Sequence, residues 1–263
     1  MHTFGAGVLI GTASTDAQGN AITLPSPVQF GILQEVSVDE EYELKELYGA
    51  NQYPVDLGRG KGKVTMKAKA ANINAELFNT FIFGQTVNTG YEAIFQDLTG
   101  TTLTAGSTGA GVAPAPPNSG IYLADLGVQD ANQIPFTRVA QGSAPTGGQY
   151  HVTGVTGTAA YVFSDVDVTA AVKAFINYTY SNASSPAAAR RITVQNLPMG
   201  YAPVFQIDLM AQMHGKTYYI RYPNCISTKL SRTFKNDDFT IPEFDISAFA
   251  DSSGNISYQY FSE

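Results

Sequence analysis

The chain has 263 residues, with 22 acidic and 15 basic side chains and a formal net charge of −7, the wrong sign for a protein that grips nucleic acid by neutralising phosphates. A lone Cys225 and the lack of any Cys/His ligand spacing exclude an intramolecular disulfide and a structural zinc. Charged residues make up only 14% against roughly 25% in an average globular protein, so solubility rests on neutral polar groups and repulsion between copies is weak.

A hydrophobic content of 44% suffices for a core, and β domains of this length commonly form one unit, so 1–263 is read as a single domain. Residues 1–27 alternate short apolar pieces with the turn residues Asp16, Gly19, Asn20, Pro25 and Pro27, predicting a loop-rich lead-in. The stretch around Val8-Leu9-Ile10 has no basic segment before it and is broken by glycine, so manufacture without Sec export is expected. On that basis the sequons at Asn177, Asn182 and Asn255 are products of a Ser/Thr-rich composition.

From Phe30 to Leu44 one parity reads Phe30, Ile32, Gln34, Val36, Val38, Glu40, Tyr42, Leu44 and the other is strongly acidic, the period-two pattern of a strand with one apolar face. A polar loop over 47–60 follows. The segment 61–70 then sets Lys61, Lys63, Lys67 and Lys69 on one parity and Val64, Met66, Ala68 and Ala70 on the other. Paired as an antiparallel hairpin with apolar faces aligned, carboxylates face ammonium groups, and a one-residue slip would put the lysines among the apolar set. Asn72 to Phe83 predicts the one main helix, capped by Asn72, with Ile73, Leu77, Phe78 and Phe81 on one face and Gly84 at its end.

Residues 85–118 turn rich in Thr, Gly, Ala and Pro and read as a long connection or weak strands. Strand-like runs follow at 121–126, 149–152, 160–163 and 174–180, then 205–212 turning at His214-Gly215 into 217–221. The last, 239–246, turns through 251–255 into 256–260. The fold class is mainly β, an antiparallel sandwich or barrel with one flanking helix.

Chemistry is scarce in this pattern. Gly58-Arg59-Gly60-Lys61-Gly62-Lys63 lacks phosphate-loop spacing and feeds a strand. The acids from Glu35 to Glu46 read as a salt-bridged sheet face. His2, His151 and His214 form no ligand pair, Cys225 reads as a buried inert thiol, and no GxSxG elbow exists. Asp237-Asp238 and the tyrosines at 218, 219, 258 and 260 read as ordinary β composition. The expectation is a protein that is not an enzyme and holds no cofactor or metal.

Two regions carry a family resemblance. One runs from Phe30-Gly31-Ile32-Leu33-Gln34-Glu35-Val36 through Glu46-Leu47-Tyr48-Gly49, Pro54-Val55 and Lys61-Gly62-Lys63-Val64 to Phe81-Ile82-Phe83-Gly84. The other runs from Phe234-Lys235-Asn236-Asp237-Asp238-Phe239 through Pro242-Glu243-Phe244 to Ala248-Phe249-Ala250-Asp251-Ser252-Ser253-Gly254-Asn255-Ile256. In these the chain resembles bacteriophage major tail tube proteins, with 85–200 as an elaboration of the core.

The resemblance implies hexameric rings whose sheets join into one inner barrel, stacked into a hollow virion tail tube assembled in the host cytoplasm. DNA passes through it without specific binding, and there is no membrane anchor. Implied partners are further copies of the chain, tape measure, tail terminator and baseplate or tail-tip proteins, and a sheath where the tail is contractile. Glu35, Asp39, Glu41, Glu43, Lys61, Lys63, Lys67 and Lys69 are then expected to face the lumen, with Val64 and Met66 packed on the helix. Tyr48, Asn51, Tyr53, Asp56 and Arg59 are expected in the loop that reaches the next ring. The rival is a monomeric or trimeric capsid decoration or receptor-binding β-domain, and a hydrolase ranks last.

Overall fold

The structure, a computed structural model, describes residues 5, 7–71, 74–154, 156–181 and 189–262. The chain divides into two compact units, 1–87 with 192–263, and 88–191 inserted between them. It opens with β1 (Val8–Ala13), β2 (Pro27–Gln29), β3 (Leu33–Tyr48) and β4 (Pro54–Ala70), then α1 (Ala75–Phe78), which runs on as a π-helical turn, Asn79–Phe83. Next come β5 (Val87–Thr89), β6 (Glu92–Phe95), β7 (Thr101–Thr102), β8 (Ile121–Gln129), β9 (Thr137–Arg138), β10 (Gln149–Thr153), β11 (Ala160–Phe163), α2 (Asp165–Thr169), β12 (Lys173–Ser181) and β13 (Arg190–Ile192). The first unit is completed by β14 (Phe205–Met213), β15 (Lys216–Ser231), β16 (Glu243–Ala248) and β17 (Tyr258–Phe261). The protein is therefore mainly β with antiparallel sheets, while β9 and β10 pair in parallel. No helix among the described residues is long and apolar enough to cross a membrane.

The first unit is built on an eight-stranded sheet in the order β2-β1-β14-β15-β16-β4-β3, with β17 also on β15. Its alternating apolar residues face the helix: Leu77, Phe78 and Phe81 pack with Leu9, Phe30, Met66, Ala68, Phe205, Ile207, Tyr222, Phe244 and Ile246. Phe81 lies at the centre, its ring 4.7 Å from that of Phe30 and 4.8 Å from that of Phe205. Gly11 of β1 passes directly beneath it, where a Cβ would sit 2.0 Å from the ring.

Several sequence expectations are corrected here. The lead-in holds β1, an interior strand whose Leu9 and Gly11 point into the core. The parity read from Phe30 breaks at Gly31, whose φ of +68° kinks the chain. Phe30 is buried while Ile32, expected on its face, is 66% exposed, and β3 starts only at Leu33. The 47–60 loop shrinks to residues 49–53, because pairing continues to Tyr48 opposite Pro54. Asn72 and Ile73 lie outside the described residues; the helix is capped instead by Asn74, whose Oδ1 accepts from Glu76 N at 2.9 Å, and it ends at Gly84 with φ +56°. The strand expected from Phe239 starts at Glu243, after Pro242, and β17 pairs with β15 instead of returning on β16.

In the inserted unit β11-β10-β9 form one sheet, and β12 pairs with β6, β7 and β8 in a second. Tyr122, Tyr150, Tyr161, Phe163 and Tyr178 dominate its core. The nearly buried Asp125 carboxylate accepts from Tyr150 Oη at 2.7 Å and Tyr161 Oη at 3.1 Å, with Arg138 at 3.5 Å. Burial, with Asp125 beside them, pushes both phenols well above their usual range.

One tight turn occurs three times. Asp16, Asp130 and Asp251 each use Oδ1 to accept the backbone N–H two and four residues on, at 2.8–2.9 Å. In each, the fourth residue has positive φ: Gly19 at +86°, Gly254 at +83°, but Gln133 at +65°. Only glycine adopts this region without steric cost.

Candidate functional site

The face of the large sheet opposite the helix is polar and ordered by register. Glu35, Lys69 and Glu243 stand in one cross-strand row, and Ser37, Lys67, Asp245 and Lys229 in the next. Signs alternate across the strands. Lys69 Nζ reaches Glu35 Oε2 at 2.6 Å, which lowers the carboxyl and raises the ammonium from their ordinary values. Lys229 lies 3.9 Å from Asp245. The Lys69–Glu35 pair is largely exposed and Lys229 reaches Asp245 from solvent, and such pairs add little stability; their effect is to leave the face close to neutral and to fix register.

Toward β14 the same face carries a tighter cluster. Asp208 Oδ1 accepts from Arg221 Nε at 2.8 Å and Tyr219 Oη at 2.5 Å, and Oδ2 accepts from Gln206 Nε2 at 2.7 Å. Partial burial raises the Asp208 pKa, but the three donors outweigh it and the net shift is downward. A depressed folded pKa contributes stability above the unfolded value, about 3.9, and loses it as pH falls through the lower folded value. Asp208→Asn is therefore expected to lower stability by about 1 kcal/mol at pH 7, discounted for solvent screening. Thermal melts check this: the difference from the parent should shrink as pH falls below about 4, and a difference independent of pH would contradict it.

The expected lumen residues distribute along this face. Asp39 stands opposite Thr65 and Glu41 opposite Lys63. Glu43 pairs along its own strand with Lys45 at 2.9 Å, and Lys61 falls where the register shifts between Tyr42 and Leu44. Glu243, Asp245, Lys229, Asp208 and Arg221 were missed. The alternation Glu243-Phe244-Asp245-Ile246 carried the signal for two of them.

The β3–β4 hairpin extends past the core. Val36 and Val38 are half-buried, but from Asp39 to Gln52 every residue is exposed. Its outer part is held by local contacts. The Arg59 guanidinium lies 4.6 Å from the Tyr42 ring centroid, and that ring lies against Gly62, where a Cβ would approach it to 3.0 Å. Tyr48 Oη donates to Glu46. On the face of Tyr42, Leu44 and Leu57 are 60% and 57% exposed, and Tyr53 at the turn is 80% exposed. Of the residues expected in a ring-stacking loop, Asn51 and Tyr53 are in the turn, Tyr48 ends β3, and Asp56 and Arg59 belong to β4. Among the described residues β3 has no strand on its outer edge.

Other candidate chemistry is dispersed. His151 is buried in β10, His214 occupies the β14–β15 turn with φ +51°, and His2 lies outside the described residues. Burial pushes the Cys225 thiol up to about 12, so it stays protonated at neutral pH. Among the described residues no group of three or more His, Cys, Asp or Glu could hold a metal ion. The tyrosines form cross-strand stacks, Tyr218 with Phe261 at 4.8 Å and Tyr219 with Tyr260 at 5.2 Å. No protein-family model matches the chain, and no curated protein matches it.

Proposed function

We propose that the protein is a self-assembling structural subunit of a hollow tube of the bacteriophage tail tube kind. The observation that carries this reading is β3, a 16-residue strand at the rim of its sheet, continuing into a hairpin whose apolar side chains lie uncovered. A long unpaired edge is an aggregation hazard that monomeric proteins blunt, and apolar side chains held in the open by a preformed hairpin suit a protein–protein contact.

In this reading six copies form a ring, β3 of each pairing with the sheet of its neighbour so that eight-stranded sheets close into one barrel. The hairpin tip reaches the next ring, and the near-neutral charged face lines the channel. Such a wall offers passing DNA no net counter-charge to hold its phosphates. Tape measure, terminator and tail-tip proteins would meet the two ends of the tube.

The purified full chain, sized by light scattering and imaged in negative stain, is expected to give hollow tubes or six-membered rings. A stable monomer or trimer would overturn the proposal in favour of a decoration or receptor-binding domain. A reconstruction with Lys67 and Lys69 on the outer wall would overturn the channel assignment alone.

A further inference from the structure

The inserted unit has a cleft of about 340 Å³ between the 96–98 turn, the 129–133 turn and β12. Its lining includes four carboxamides, Gln96, Gln129, Gln133 and Asn177, with the ring of Phe175 and the side chain of Leu98. We propose that this cleft binds a neutral saccharide, a role independent of tube formation.

The strained residue is the first argument. Of the three equivalent aspartate turns, two place glycine at the positive-φ position and the third places Gln133 there. A glycine would relieve the backbone, and the glutamine keeps a side chain on the cleft wall. A backbone outlier of this kind points toward function. The side-chain carboxamide of Gln133 makes no hydrogen bond among the described residues, and neither do those of Gln96 and Gln129, so three planar donor–acceptor groups are free in one cleft.

Chemistry then narrows the ligand. The lining itself holds no Lys or Arg while Asp97 and Asp130 are part of it, and the one cation beside it, Lys173, lies over the Phe175 ring, so the two carboxylates disfavour an anionic ligand. Cation binding is disfavoured because the carboxylates already serve the backbone. Asp97 Oδ1 accepts from Thr99 N at 3.0 Å and Gly100 N at 2.8 Å, and Asp130 Oδ1 from Asn132 N and Ile134 N at 2.8 Å. Carboxamides that both donate and accept match vicinal hydroxyls, and an aromatic ring gives a surface for the C–H face of a pyranose. The wall is also preorganised: Asn177 Oδ1 accepts from Asp97 N at 3.1 Å, tying β12 to the turn, and the Phe175 ring is flanked by Gly100 and by Lys173, whose Nζ is 5.6 Å from the ring centroid.

The test is saturation-transfer NMR on the full chain with glucose, galactose, mannose and N-acetylglucosamine, and with sialic acid as the anionic control. At least one neutral sugar is expected to bind with Kd on the order of 1 mM, and sialic acid not to bind. Gln129→Ala, at an exposed site, and Gln133→Gly should each weaken binding about tenfold. Gln133→Gly should also raise the melting temperature by about 2 °C as the strain is released. Absence of saturation for all four sugars at about 10 mM, tighter binding of sialic acid, undiminished binding by both variants, or a lower melting temperature for Gln133→Gly would each overturn the inference.

Discussion

Leu44→Glu combined with Leu57→Lys is expected to abolish tube growth while leaving the subunit folded. Each new charge stands opposite an existing partner of opposite sign, because Leu44 faces Arg59 and Leu57 faces Glu46 across the hairpin. The hairpin thus gains two cross-strand ion pairs in exchange for two exposed leucines, and the core loses nothing. Fully burying an exposed leucine is worth about 1.5–3 kcal/mol; with Leu44 and Leu57 60% and 57% exposed, burial of both in a neighbouring subunit would contribute about 2–4 kcal/mol at each ring-to-ring contact. That corresponds to roughly thirtyfold to several-hundredfold in association. The variant should melt within about 2 °C of the parent and appear in negative stain as single rings or free subunits. Tubes forming at the parent's threshold concentration would show that the tip does not carry the contact.

Gly11→Ala is expected to be the most damaging single methyl group in the large unit. Its Cβ would lie 2.0 Å from two carbons of the Phe81 ring, and that ring is fully buried between Phe30 and Phe205. Overpacking typically costs 1–3 kcal/mol; with no open side for the ring to move into, about 3 kcal/mol or more is expected, a fall of roughly 6–12 °C in melting temperature. Phe81→Leu alone removes aromatic area and also destabilises. Combined with Gly11→Ala, however, it should recover part of the loss, since the two side chains share one volume. Additive losses in the double variant would mean that the clash is relieved elsewhere.

The sequence was most informative where one face is buried and one wet. Val36, Val38, Met66 and Ala68 alternate with charged neighbours, so both inner strands of the hairpin and their register were legible. Beyond Glu40, which still accepts from the buried Tyr222, no burial contrast marks the strands, and Pro54 and Gly58 read as loop while pairing as strand. β1 was hidden for a related reason: its core-facing position opposite Phe81 is Gly11, which carries no hydrophobic signal. Glu35, Lys69 and their row could be guessed from parity, but Asp208 and Arg221 are joined only by the β14–β15 register, which no local pattern encodes. Gln133 stayed invisible because its meaning comes from comparing backbone angles at three turns.

The strand order also dictates a sequence of events during synthesis. β1 and β2 at one end of the large sheet and β3 and β4 at the other have no direct pairing; β14, β15 and β16 lie between them. Residues 1–87 therefore leave the ribosome as two hairpins with no strand pairing between them, sharing contacts only through the helix, and the inserted unit, whose core draws only on its own residues, can fold before the sheet between them is made. The edge strand gains its backing only when the last seventy or so residues, 192–263, have been made. A nascent chain so ordered presents no completed sheet edge while neighbours on the same message are still unfinished, which suits the self-assembly proposed above.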